Sequence, residues 1–148
     1  LQHEQSYDRW DAYAQSKLAN VLFAFELQRR LEQASIEDVT SIATHPGYAD
    51  TNLQRRGPEQ DGSKLRLVLM QLANTLFAQS ARAGAWPMLY AATEPSLTGG
   101  EYVGPTGLLN MRGTPGVQDS SDRSHNQAVA QRLWRVSEAL TGVEFALD

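Results

Sequence analysis

The sequence predicts an α/β protein in which helices cover both faces of a largely parallel sheet. Stretches with a helical spacing of apolar residues alternate with two short stretches that end at glycine or proline turns. Two strands are too few for such a sheet, because sheets usually contain about five or six. We therefore expect these 148 residues, which begin at Leu1, to be the second half of a longer chain. A small helical domain with one hairpin is the alternative.

The first two elements are a long helix and a buried strand. Apolar residues follow a helical period from about residue 11 to 33, in a stretch without glycine or proline. The stretch from about 39 to 46 is rich in β-branched residues and stops at Pro46-Gly47, which is typical of a strand that ends in a turn.

The middle of the chain contains a region from about 52 to 80, followed by a last helix and strand from about 81 to 105. Residues 64–78 within the first region carry a broad apolar face at helical spacing. A helix is expected from about 81 to 92, and Pro87 inside it predicts a kink or a late start. The glycine-flanked stretch 99–105 predicts the strand.

The C-terminal part is predicted to be a loop followed by a helix. Residues 114–124 are polar and contain no apolar period, so we predict a loop there. A helix is expected from about 125 to 141, and Ser124 and Gln127 have the spacing of a capping box at its start.

Composition excludes several kinds of partner and site. The net charge is −4 and Lys and Arg are not clustered, which argues against a nucleic-acid partner. There is no cysteine, and the three histidines have no partner at ligand spacing, so we assign no metal. No apolar run approaches the ~18 to 20 residues that span a bilayer, and we expect a cytoplasmic protein. The three tryptophans are interpreted as packing residues.

The first helix places a tyrosine four residues before a lysine, in the stretch AYAQSKLAN from 12 to 20. Residues four apart lie on one helical face, so the ammonium of Lys17 can lie near the phenol of Tyr13. A nearby cation favours the phenolate form of a tyrosine, and such a group suits proton transfer to or from an alcohol oxygen. Taken alone, however, such a pair is more often part of a solvated helix face.

Several segments, in this order, resemble one family along nearly the whole chain: YAQSKLANVLFAFELQRRL, HPGYADTNL, GAWPMLYAAT, GGEYVGPTG and RLWRVSEALTGV. They are similar to the C-terminal half of short-chain dehydrogenase/reductases, in the branch of retinol dehydrogenases and protochlorophyllide-reductase-like enzymes. The resemblance implies a doubly wound, three-layer α/β/α Rossmann-like domain, of which residues 1–148 are the C-terminal part and whose N-terminal βαβ half lies outside this sequence.

The resemblance also implies a reaction, in which a hydride passes between a nicotinamide and an alcohol or carbonyl carbon. Tyr13 would be the general acid or base, and Lys17 would favour the phenolate and hydrogen-bond the nicotinamide ribose. NADP is favoured over NAD by the resemblance, and a lipophilic, retinol-like substrate is implied by analogy. The implied cofactor-binding residues are Tyr13, Lys17, Pro46, Gly47, Ala49 and Thr51. Ser16 and Asn20 also match the branch, but helix packing and local hydrogen bonding are the preferred explanation for both.

Two parts of the family's site have no counterpart in the sequence. The glycine-rich turn that meets the pyrophosphate is absent, and no serine can be identified as the active-site serine. We therefore expect the isolated 148-residue polypeptide to be inactive. The alternative function is a non-catalytic dinucleotide-binding or regulatory module of the same fold. Retention of both Tyr13 and Lys17 argues against that alternative, because a binding module would not need the pair.

The region from 52 to 80 leaves three interpretations open. Its apolar face could belong to the core or a subunit contact, could form a lid over a lipophilic substrate, or could lie on a membrane surface. Lys64 and Arg66 are too few cations for firm membrane binding, so membrane contact is disfavoured. The expected partner is a small alcohol, aldehyde or ketone, and the long first helix could provide a homodimer contact, as it does in many relatives.

Overall fold

The computed structural model of the protein describes residues 7–47 and 80–147. The helices are α1 (Arg9–Gln33), α2 (Ala81–Gly84), α3 (Trp86–Thr93) and α4 (Gln127–Thr141). The strands are β1 (Ala43–Thr44), β2 (Tyr102–Pro105) and β3 (Pro115–Gln118), and short 3-10 turns span Leu108–Asn110 and Asp122–His125.

The chain divides into two compact units. The first contains Leu1–Ala43, Ser96–Tyr102 and Asp119–Asp148, and the second contains Thr44–Pro95 and Val103–Gln118. That residues 1–148 form part of one domain stays a prediction.

The three strands form a mixed sheet in the order β1-β2-β3. Ala43 N donates to Glu101 O at 3.0 Å, and His45 N donates to Val103 O at 2.9 Å. The residue numbers of donors and acceptors increase together, so β1 and β2 are parallel. β2 and β3 form an antiparallel hairpin that Thr106 N closes by donating to Thr114 O at 2.8 Å. Helices together with this sheet confirm the α/β class. β1 is much shorter than the strand expected from about 39 to 46.

The loop predicted for residues 114–124 is wrong over its first half, which forms β3. Pro115 and Gly116 are turn residues by propensity, and this is why the segment reads as a loop. β3 pairs with β2 alone among the described strands. A proline, which has no N–H to donate, is tolerated at the first residue of such a strand.

The ends of two helices differ from the predictions. α1 begins at Arg9, two residues before the expected start, because the Asp8 carboxylate accepts hydrogen bonds from Trp10 N and Asp11 N. The capping box at α4 is wrong: the N-cap is Asn126, whose Oδ1 accepts from Val129 N at 3.1 Å.

The helix expected from about 81 to 92 is divided into α2 and α3 at Ala85. Pro87 lies in the first turn of α3, where its missing N–H would have no intrahelical acceptor in any case. The late start predicted from Pro87 is therefore confirmed.

The core of the first unit forms where α1 packs against α4. Trp134 is 2% exposed, its ring stacks on Phe23 with centroids 4.8 Å apart, and the guanidinium of Arg30 lies 4.3 Å from its centroid. Packing is thus confirmed for Trp134. It is wrong for Trp10 and Trp86, which are 63% and 43% exposed. Buried residues of this core are Leu22, Phe25, Leu31, Ala130 and Trp134.

The second unit contains the carboxyl end of β1, most of β2, β3 and the helix pair α2–α3. Val103 and Pro105 of β2 are fully buried, and α3 packs against β3. The apolar helix expected at 64–78 lies outside the described residues, so its three interpretations stay open. Within residues 7–47 and 80–147, no helix combines the length and the apolar character needed to cross a bilayer.

Candidate active site

Tyr13 and Lys17 lie together on α1, in the first unit. The Lys17 Nζ is 5.3 Å from the centroid of the Tyr13 ring, the distance of a cation–π contact. Tyr13 is 45% exposed and Lys17 is exposed, so a small molecule can reach both side chains. A phenol hydroxyl that can donate or accept, beside an ammonium that donates, is a donor set that fits the hydroxyls of a ribose and the oxygen of an alcohol or carbonyl. The helical spacing thus produces the pair that the sequence predicts.

Ser16, beside this pair, makes a local contact. Its Oγ donates to the Tyr13 carbonyl oxygen at 2.7 Å, within the helix. A serine in a helix commonly bonds back to the preceding turn in this way. This bond supports the interpretation of Ser16 as a residue engaged in local hydrogen bonding, and Asn20 is exposed further along the same helix.

The turn after β1 belongs to the second unit and contains Pro46 and Gly47. Gly47 has φ +65°, a left-handed conformation that favours glycine. A Cβ at this position would also overlap the Met111 carbonyl and the Pro105 ring. The Gly47 N–H donates to the Nδ1 of His45 at 3.2 Å. The backbone of the turn is therefore held against the β2–β3 hairpin, while Pro46 is exposed.

The remaining two residues implied for the cofactor, Ala49 and Thr51, lie outside the described residues. Sequence reasoning missed His45 and Gln118, which surround the turn. The side chain of Gln118 contacts His45 at 2.8 Å across 73 positions of sequence. His45 stands directly before Pro46-Gly47, and this adjacency is the one signal that could have indicated it.

No protein-family model matches the chain. Three similar proteins are mouse retinol dehydrogenase 14 (33% identical over 97% of this chain), mouse polyprenol dehydrogenase (37% over 96%) and human retinol dehydrogenase 12 (35% over 98%). A crystal structure of an uncharacterized protein from Mycobacterium paratuberculosis is 36% identical, has a TM-score of 0.69 and covers 98% of this chain. The chain is homologous over nearly its whole length to retinol and polyprenol dehydrogenases of the short-chain dehydrogenase/reductase family.

The chain spans about two fifths of the curated relatives it matches, between 38% and 40% of their length. It spans 44% of the crystallised relative. The matched part is the C-terminal part of the curated relatives, so the sequence-based assignment to the C-terminal half of a Rossmann-like fold is confirmed.

Tyr102, at the start of β2, is a poor candidate for proton transfer. Burial raises the pKa of its phenol above the ordinary value of 10.0, because desolvation disfavours the phenolate. A proton-transfer group at neutral pH needs a change in the opposite direction. In the part of the chain that the structure describes, three or more His, Cys, Asp or Glu residues are not grouped as a metal site requires.

Proposed function

We propose that the protein containing this chain is an NAD(P)-dependent oxidoreductase that interconverts an alcohol and its aldehyde or ketone. The observation that carries the proposal is the Lys17 ammonium over the exposed Tyr13 ring, in a chain homologous to retinol and polyprenol dehydrogenases. The names of those relatives support a lipophilic alcohol as the substrate. The same family resemblance favours NADP over NAD as the cofactor. We also propose that the protein is located in the cytoplasm.

Tyr13 is the group that moves the proton. In the oxidation direction the phenolate of Tyr13 takes the proton from the substrate hydroxyl, and in the reduction direction the phenol returns it to the carbonyl oxygen. A nicotinamide held by these residues would supply the hydride-transfer chemistry, in which the hydride carries both electrons. Lys17 places a cation beside the Tyr13 ring and donates hydrogen bonds to the ribose hydroxyls.

The turn after β1 forms one wall of the nicotinamide subsite in this proposal. Gly47 lets the backbone turn sharply, and the exposed Pro46 of this turn would face the flat ring. The main chain at Ala49 and the hydroxyl of Thr51 would hydrogen-bond the carboxamide or pyrophosphate.

Replacing Tyr13 by Phe tests the proposal, because it removes only the hydroxyl. We expect turnover to fall by about 10²- to 10⁴-fold. The dissociation constant of NADPH should change by less than about 3-fold, since a single neutral hydrogen bond contributes little. The measurement is steady-state reduction of retinal-like aldehydes and oxidation of the matching alcohols, with the longest natural polypeptide that contains these residues.

Tyr90→Phe, on α3, is the matched control and should keep normal turnover. Near-normal turnover of Tyr13→Phe on an identified substrate would contradict the proposal. Binding of NADPH or NADH without turnover of any alcohol or aldehyde would instead support the non-catalytic module. The 148-residue polypeptide alone should show no turnover.

A further inference from the structure

Four groups of the second unit form one chain of hydrogen bonds. Gln118 Nε2 donates to the Pro105 carbonyl oxygen, and Gln118 Oε1 lies 2.8 Å from His45 Nε2. The Gly47 N–H donates to His45 Nδ1 at 3.2 Å. Pro105 and Gln118 are the last residues of β2 and β3, and His45 directly follows β1. These hydrogen bonds therefore link β3, the far strand of the hairpin, to the turn that contains Gly47.

Only one arrangement of protons satisfies all three of these hydrogen bonds. A carbonyl oxygen can only accept, so the amide nitrogen of Gln118 must face Pro105 and its amide oxygen must face His45. His45 Nε2 then has to carry the proton, and Nδ1 keeps the lone pair that accepts from Gly47 N–H. The Gln118 amide and the Gly47 N–H thus both select the Nε2–H tautomer of His45.

The imidazole ring is also held by close packing. A Cβ at Gly104 of β2 would overlap the ring of His45, so glycine at this strand position leaves the space that the ring fills. Gly104 and Pro105 are buried. The ring therefore has little freedom to change its plane without moving β2.

We propose that Gln118 is a positioning residue, which fixes the tautomer of His45 and through it the backbone N–H of Gly47. In the proposed function the Pro46-Gly47 turn is one wall of the nicotinamide subsite, and this last step rests on that function. An amide on the third strand would then determine, through His45, how tightly the cofactor is held.

The tautomer can be read directly from the ¹⁵N resonances of the histidine rings. In the longest natural polypeptide that contains these residues, long-range ¹H–¹⁵N correlation should show His45 with a protonated Nε2 and an unprotonated Nδ1. The His45 signals are assigned by their loss in His45→Asn. Gln118→Met has a similar length and volume but makes neither hydrogen bond of Gln118, so Gly47 N–H alone favours the Nε2–H tautomer. In this variant we expect the His45 signals to move toward the averaged values of two exchanging tautomers. Unchanged His45 signals in Gln118→Met would overturn the proposal.

Cofactor binding provides the second readout. The dissociation constant of NADPH should rise about 10-fold in Gln118→Met, the effect of losing one well-formed positioning contact. Gln131→Met, at an exposed position of α4, is the matched control and should bind as the unaltered protein does. An unchanged dissociation constant despite an altered His45 spectrum would overturn the positioning role. If the unaltered protein binds neither NADPH nor NADH, the proposed function fails, and the spectrum alone then decides whether Gln118 sets the tautomer.

Two substitutions of His45 test separately the hydrogen bond at Nδ1 and the hydrogen bond at Nε2. His45→Asn places a side-chain oxygen near the position of Nδ1 and can still accept from Gly47 N–H, whereas His45→Gln reaches toward Gln118 instead. We expect NADPH binding within about 3-fold of normal for His45→Asn and about 10-fold weaker for His45→Gln. Binding by His45→Gln that equals or exceeds that of His45→Asn would overturn the proposal.

Discussion

Lys17 lies over the ring of Tyr13 because the two residues are four apart on α1. The pair needs no contact from another part of the chain, so it could be predicted from the sequence. For Gly47, in contrast, only part of the explanation could be predicted from the sequence. Its positive φ follows from the Pro-Gly turn, but the overlap that a Cβ would have with Met111 and Pro105 is visible only in the folded chain.

Lys17 acts on both the cofactor and the proton in the proposed function, so Lys17→Met should weaken both. We expect the dissociation constant of NADPH to rise about 10-fold, because charge-assisted hydrogen bonds to the ribose are lost. Turnover should fall about 100-fold or more, because the phenolate of Tyr13 loses its neighbouring cation. Fluorescence titration and steady-state kinetics measure the two effects. Arg132→Met, an exposed cation on α4, should change neither, and a loss of rate with unaltered affinity would refute the dual role.

Gly47→Ala should destabilise the protein strongly. The left-handed conformation costs an alanine about 1 to 2 kcal/mol, and the overlap with the Met111 carbonyl and the Pro105 ring adds to this. We expect a loss of about 3 kcal/mol or more in the free energy of unfolding, measured by urea titration.

Gly142 is the matched control for that substitution. It has nearly the same φ, +68°, at the end of α4, and a Cβ there would meet nothing within 4 Å. Gly142→Ala should therefore cost only the conformational part, about 1 to 2 kcal/mol. Equal losses for the two variants would show that the turn after β1 is not packed as described.

At the scale of elements, α1 and α4 depend on each other for burial. Trp134 of α4 stacks on Phe23 of α1, and its Nε1 donates to Glu138 Oε1 at 2.8 Å. On α1, the buried carboxylate of Glu26 accepts from both Arg29 and Arg30, at 2.9 Å each. The two arginines satisfy a charge that would otherwise be costly to bury.

Trp134→Ala should remove most of the contact between these helices. A buried tryptophan replaced by alanine typically costs about 3 to 5 kcal/mol, through lost apolar burial and the cavity that remains. We expect a loss in that range, measured by urea unfolding followed by circular dichroism. Trp10→Ala, at a position that is 63% exposed, should cost about 1 kcal/mol or less. A small effect of Trp134→Ala would argue against the stacking described between α1 and α4.

At the scale of the whole molecule, a bound dinucleotide should stabilise the protein if the proposed function holds. A ligand at about 100 times its dissociation constant contributes about 2.7 kcal/mol to stability. We expect NADPH to raise the Tm by about 5 °C or more in differential scanning fluorimetry with the longest natural polypeptide. NADH should raise it less at the same concentration. Tyr13→Phe should keep the rise and Lys17→Met should reduce it, whereas no rise with either cofactor would contradict the proposal.

Local rules determined much of the described structure. The apolar period predicts α1 and α4, Pro87 predicts the late start of α3, and the β-branched run predicts a strand before Pro46-Gly47. Spacing alone predicts that Tyr13 and Lys17 share a face. These features could be predicted because each depends on residues within one or two turns of one another, where backbone geometry decides which side chains meet.

Other features were decided only by the tertiary structure. β3 forms because β2 offers a hydrogen-bonding edge, which overrides the turn propensity of Pro115 and Gly116. The partnership of Gln118 with His45 joins residues 73 positions apart, and no local pattern contains it. The sequence by itself determined the family resemblance, the pairing of Tyr13 with Lys17 and the main helices, because those follow from periodicity and motif order. Only the folded chain decided what holds the turn after β1, since that depends on which strands become neighbours.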